Sequence, residues 1–165
     1  MTEMTPRPAG WIETAPITIR ASREVQATAD EVWAAITDHE RWPQWFDALD
    51  RAEATGGEGL GSTRSVSVRS WRLDEEFVVW DEPRSFGFTV LAAEGPLGRL
   101  AESLNERIDL QVLTPERTRV TYLQGWQPRS RLGGRLLKLA GRAVTAQLRA
   151  ALANLEAHIE SERAG

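Results

Sequence analysis

Cysteine is absent from the 165 residues, which excludes disulfides and thiolate nucleophiles together. Histidine is nearly absent: His39 and His158 are too few for a histidine-rich metal site. Lysine is rarer still, with nineteen arginines against the single Lys138. A Schiff-base lysine is therefore a poor expectation, because that one lysine stands among arginines on a predicted helix surface. No G-x-S-x-G is present, so no serine has a nucleophile-elbow context. No segment reaches the roughly 18 apolar residues of a membrane span. The opening MTEMTPRPAGWIETAP holds three prolines, two glutamates and no apolar run, which is incompatible with a signal peptide. A cytoplasmic location is expected, with residues 1–16 forming a flexible or loosely docked arm.

What remains is an ordinary globular balance, 41% apolar and 27% charged, in a chain of one-domain length. The net charge of −4 gives no reason to expect a nucleic-acid partner. Residues 17–25 alternate, with Ile17, Ile19, Ala21 and Val25 on one face, as in a half-buried strand. Thr28 and Glu31 then have capping-box spacing ahead of Val32, Trp33 and Ile36, which predicts a short helix. HERWPQWF follows as a second short helical piece, interrupted at Pro43. Gly56–Ser62 (GGEGLGS) resembles a phosphate loop in composition, but a strand-like run follows instead of a helix. It is read as a turn. No nucleotide site and no cofactor are expected.

Five strand-like runs come next: Ser62–Ser70, Trp71–Trp80, a run through Phe86, Phe88 and Val90, one through Leu104 to Val112, and one from Val120 to Trp126. Asp81–Arg84 and Thr114–Arg117 are turns, and AAEGPLGRLAES reads as a longer loop. Short connections of this kind predict an antiparallel meander. From Ser130 to Glu162 there is no proline, and a helix of about thirty residues would span roughly 45 Å. At about 100° per residue, Leu136, Ala140, Val144, Leu148, Ala151 and Leu155 share one sector, predicted to cover the sheet. Arg131, Arg135, Lys138, Arg142 and Arg149 fall roughly opposite.

The residues Ala29-Asp30-Glu31-Val32-Trp33, Ile36, Asp38, Trp42-Pro43 and Trp45 carry a family likeness. So do Gly59-Leu60-Gly61-Ser62, Trp80-Asp81-Glu82-Pro83-Arg84, Phe86 and Phe88. In this order they resemble the helix-grip fold of the START-like (SRPBCC) superfamily, and within it the polyketide cyclase/dehydrase and lipid-transport group. The resemblance covers residues 17–162 and implies an α+β domain. Its curved antiparallel sheet would wrap a long C-terminal helix around a deep cavity for a lipid, polyketide or similar hydrophobic molecule.

On that reading Phe86, Phe88, Val90, Tyr122, Trp126, Val144 and Leu148 are expected to line the cavity. Period two places Glu106 with Leu104 and Ile108, and Gln124 with Tyr122. Glu106, Tyr122 and Gln124 would then orient a polar group of the ligand, with Glu106 and Tyr122 the candidate acid–base residues. Arg23, in phase with Val25, is a further inward candidate. His39 is expected at the surface. Trp33, Trp42 and Trp45 are read as packing, with Trp45 or Phe46 at the cavity mouth. Eight basic residues and no acid lie between Arg117 and Leu155; a solvated face balanced by acidic loops is favoured over peripheral contact with an anionic membrane. Three functions stay open: a binder of a small hydrophobic molecule, a cyclase/dehydratase-type enzyme, and an interaction module.

Overall fold

Alternation and capping act where the sequence places them in the computed structural model, which describes residues 1–165. After a two-residue strand β1 (Thr2–Glu3), strand β2 (Ile17–Val25) buries Ile17, Ile19, Ala21 and Val25. Helix α1 (Ala29–Thr37) starts on a complete capping box. Thr28 Oγ1 accepts from the Glu31 N–H at 3.2 Å, and Glu31 Oε2 accepts from the Thr28 N–H at 2.8 Å. A 3-10 turn through Pro43 (His39–Gln44) leads to the sheet.

The sheet strands are β3 (Leu49–Ala54), β4 (Thr63–Val68), β5 (Trp71–Asp81), β6 (Ser85–Ala93), β7 (Ala101–Thr114) and β8 (Arg117–Pro128). All pairs are antiparallel, in the order β2-β8-β7-β6-β5-β4-β3, with β1 on β6. A short helix α2 (Gly95–Leu100) joins β6 to β7, and the long helix α3 (Arg131–Ala164) closes over the sheet. This is the α+β helix-grip architecture. The β3–β4 turn places Gly57, Gly59 and Gly61 at φ +84°, +92° and +79°, a backbone that only glycine adopts freely.

The structure departs from the sequence expectation in four places. Strand β3 escaped the pattern because a bulge between Leu49 and Arg51 breaks its alternation. The stretch read as a loop contains α2, whose Pro96 occupies a first-turn position where its missing N–H costs nothing. The N-terminal arm is docked. Strand β1 covers Ala92 and Ala93, where β6 has parted from β7. The Met4 N–H then donates to Leu91 at 2.8 Å, and Asn105 Nδ2 donates to the Arg7 and Pro8 carbonyls. These contacts hold a segment that the sequence left open as flexible or loosely docked.

The fourth departure is in α3. Leu148, Ala151 and Leu155 are buried as expected, together with Leu152 and Ile159. Leu136 and Ala140 are not buried. In the first half of α3 the chain is turned so that Gly133, Gly134 and Leu137 face inward and Gly141 passes against Ile19. Glycines let the helix backbone approach its neighbours closely, and a sector defined by leucine and alanine overlooks them. The ion pairs of the helix gather at its far end, where its own Glu156 pairs with Arg23 and its own Glu162 with Arg41. The expected acidic balance for Arg131, Arg135, Lys138, Arg142 and Arg149 is absent. No helix is long and apolar enough to cross a membrane.

Substitution at the two leucines separates these faces. Leu148→Asp buries a charge between helix and sheet and lowers the unfolding free energy by about 4 kcal/mol or more. Leu136→Asp changes it by less than about 0.5 kcal/mol. Urea denaturation of the two variants checks both; equal losses would contradict the assigned helix rotation.

Candidate ligand cavity

Period two sends alternate side chains of β4, β5, β7 and β8 onto the concave face of the sheet. Arg64 and Val66 of β4, Leu73 and Glu75 of β5, Leu104 and Glu106 of β7, and Tyr122, Gln124 and Trp126 of β8 all point there. Above them α3 presents Leu137, Ala140, Ala143, Val144 and Gln147. The alanines are too small to fill the space beneath the helix. An open cavity of about 380 Å³ results, flanked by Pro96 and Leu97 of α2, with Arg69 of the β4–β5 turn and Trp71 at the start of β5 also lining it.

The floor of this cavity is polar and buried. Arg64 stands opposite Glu75 in the β4–β5 ladder, and its Nε donates to Glu75 Oε2 at 2.5 Å. The guanidinium carbon lies 4.1 Å from the Trp42 ring centroid and 4.4 Å from that of Phe88, so two aromatic rings set at a steep angle to each other both contact the cation. Arg64 Nη1 has no protein partner. Two strands beyond Glu75, Glu106 Oε2 accepts a hydrogen bond from the Tyr122 hydroxyl at 2.5 Å. Gln124 lies opposite Glu106, and its Oε1 accepts from Trp126 Nε1 at 3.1 Å.

Burial dominates the protonation of this group. Desolvation and the nearby Glu75 charge push Glu106 up to about 7, against the pull of hydrogen bonds from Tyr122 and Gln124. Burial raises Glu75 as well, opposed by Arg64. Tyr122 is held well above its ordinary value by burial and by Glu106, so it stays a neutral donor. At neutral pH Glu106 is thus divided between its acid and its base form.

The structure brings six of the nine anticipated residues to the cavity: Phe88, Glu106, Tyr122, Gln124, Trp126 and Val144. Phe86, Val90 and Leu148 are corrected: all three are fully buried in the core and do not line the cavity. Phe86 packs against Phe77 at 5.0 Å and Trp80 at 5.4 Å, deeper in the sheet. Periodicity fixes the face a side chain takes, not its depth along the strand. Leu148 lies past the point where α3 closes onto the sheet. Arg23 is also corrected, being exposed and paired with Glu156 at 2.7 Å.

Phe46 does border the cavity, as does Trp42, while Trp45 is buried behind them. His39 is not at the surface. It is 8% exposed and stacked on Phe77 with ring centroids 5.0 Å apart. Burial first, then the Arg64 charge, lowers it to about 4, so the ring is neutral. Arg64 and Glu75 went unnoticed in the sequence, although Val66 and Leu73 put them on the inward face by the same period-two rule.

The sequence profile of the "Polyketide cyclase / dehydrase and lipid transport" family matches residues 16–160. The chain belongs to this family. Among solved structures, a START superfamily protein of Mycobacterium smegmatis superposes with a TM-score of 0.71 at 16% identity. That superposition covers 87% of this chain and 97% of the other. The Zhui aromatase/cyclase of Streptomyces sp. R1128 gives 0.65 at 18% identity, covering 85% and 93%. An uncharacterised protein of Mycobacterium tuberculosis H37Rv is 32% identical over 74 residues, 43% of this chain. The match spans 44% of that relative's length, less than half of it.

His39 and Glu106 oppose each other in the pH dependence of stability. The lowered His39 contributes stability that is complete above pH 6.5 and lost as pH falls toward 4. The raised Glu106 contributes stability that is complete below pH 4.5 and lost as pH rises through 7. Their slopes cancel between these limits. Replacing His39→Phe keeps the stacked ring and removes one slope. This variant is expected to lose about 3 kcal/mol between pH 4.5 and pH 7, with Glu75 adding in the same direction. Urea titrations across that range check it, and a flat profile would contradict the raised Glu106.

Proposed function

We propose that the chain binds one small, largely apolar molecule with an oxygen function at one end, seated in the cavity beneath α3. The observation that carries this reading is an apolar cavity of about 380 Å³ whose floor carries a few polar groups, Arg64, Glu75, Glu106, Tyr122 and Gln124. Ligand pockets commonly run from about 300 to 1,000 Å³, apolar with a few placed polar groups. The charge of Arg64 is already matched by Glu75, and Glu106 stands nearby. A carbonyl, enol or hydroxyl oxygen therefore suits the floor better than a free carboxylate.

Catalysis of the cyclase/dehydratase kind is the second reading, and the environment of Glu106 favours it. A carboxyl near pH 7 both gives and accepts protons efficiently. Its carboxylate would remove a proton from a carbon between two carbonyls. The carbanion would attack a second carbonyl of the same chain, and the new alkoxide would take the proton back from Glu106. An aromatase/cyclase shares the fold. A protein-interaction module, the remaining alternative, gains no support from an open cavity.

Binding of the neutral dye N-phenyl-1-naphthylamine tests the first reading. Ala140→Trp, at an exposed helix position over the cavity, should block entry without unfolding the chain. Trp126→Ala should remove a wall of the cavity. Each is expected to weaken the dye by about tenfold, the equivalent of 1.4 kcal/mol. Unchanged affinity in both variants would refute the cavity as the binding site.

A further inference from the structure

The first half of α3 exposes apolar surface that the fold does not use. Leu132, Leu136 and Leu139 are 66%, 45% and 71% exposed. Together with Ala143 they recur at i, i+4, i+7 and i+11, which places them in one stripe along the helix. The stripe has two different borders. On one side stand Arg131, Arg135, Lys138 and Arg142, all exposed and none in an ion pair, in a stretch with no acidic residue from Arg117 to Leu155. Most other arginines of the chain that lie at the surface are paired, as Arg23, Arg41, Arg119 and Arg163 are. On the other side the stripe runs into the cavity mouth, since Ala143 is exposed and lines the cavity at once. Trp71, 44% exposed, and the unpaired, exposed Arg69 also border that opening.

We propose that this face docks on an anionic lipid bilayer, with Leu132, Leu136, Leu139 and Trp71 at the acyl boundary and the cations among the phosphates. The cavity mouth would then open onto the membrane. Charge selects this occupant. A chain of net charge −4 is repelled by an anionic surface except through a segregated cationic face, and α3 supplies one. A surface helix with an apolar stripe beside a row of arginines has the pattern of interfacial binding. A second copy of the chain is a poor fit, because joining two such stripes would bring two rows of unpaired cations together. No helix is apolar enough to cross a membrane, so the contact is peripheral.

Vesicle sedimentation tests this, with phosphatidylcholine alone against an equal mixture with phosphatidylglycerol. The intact chain is expected on the mixed vesicles at low salt, to leave them as salt is raised, and to ignore the neutral ones. Arg135→Glu with Arg142→Glu should lower the partition coefficient by about tenfold or more, at roughly 1 kcal/mol for each cation near the surface. Leu136→Glu with Leu139→Glu should release the protein while circular dichroism and melting stay unchanged. No binding at low salt, equal binding to both vesicles, or indifference to both double variants would overturn the proposal. So would a concentration-dependent dimer that Leu136→Glu with Leu139→Glu abolishes in a chain that ignores vesicles. Neither vesicle result depends on whether the cavity takes up N-phenyl-1-naphthylamine.

Discussion

The buried pairing of Arg64 with Glu75 is the constraint around which the concave face is arranged. A lone guanidinium in this position would be costly beyond recovery, and a lone carboxylate equally so. The pair survives because the two residues meet across the β4–β5 ladder and because the Trp42 and Phe88 rings both contact the cation. The arrangement explains features that otherwise look unrelated. Pro43 lies within the turn that delivers Trp42, and Trp42 is pinned by its own indole N–H, which donates to the Ile36 carbonyl at 2.8 Å. His39 sits neutral in the same aromatic cluster, close enough to sense the Arg64 charge. Glu106, two strands beyond Glu75, is raised in part by the Glu75 charge.

A packed sheet would cover such a row with apolar side chains. Here α3 is held away from it. The glycines at the start of the helix dock it against Leu100 at the end of α2 and Pro128 at the end of β8. Leu148, Leu152 and Leu155 anchor its second half. Between these two supports Ala140, Ala143 and Val144 bridge the opening without filling it. One helix thus has three different tasks along its length, and its outward surface differs accordingly.

Much of this was legible in the sequence. The capping box at Thr28, the alternation of Ile17–Val25 and the unbroken helix after Ser130 placed the main elements correctly. Glu106, Tyr122, Gln124 and Trp126 came out on one face because period two leaves little choice once Leu104 and Val120 are inward. What stayed hidden followed from contacts remote in sequence. The depth of Phe86 and Val90, the rotation of α3 on glycines, and the docking of the first residues along β6 are settled by partners that no local pattern names. Arg64 and Glu75 lay within reach of the same period-two argument. Each is charged, and only the other makes its burial tolerable, so neither could be assigned inward by itself.

Native mass spectrometry of freshly purified protein, followed by organic extraction, tests the central claim most directly. The account predicts one small passenger per chain that is apolar over most of its length and carries a carbonyl, enol or hydroxyl oxygen. A chain that flies at its bare mass, and that stays bare after incubation with fatty acids, sterols and aromatic polyketides, would contradict it.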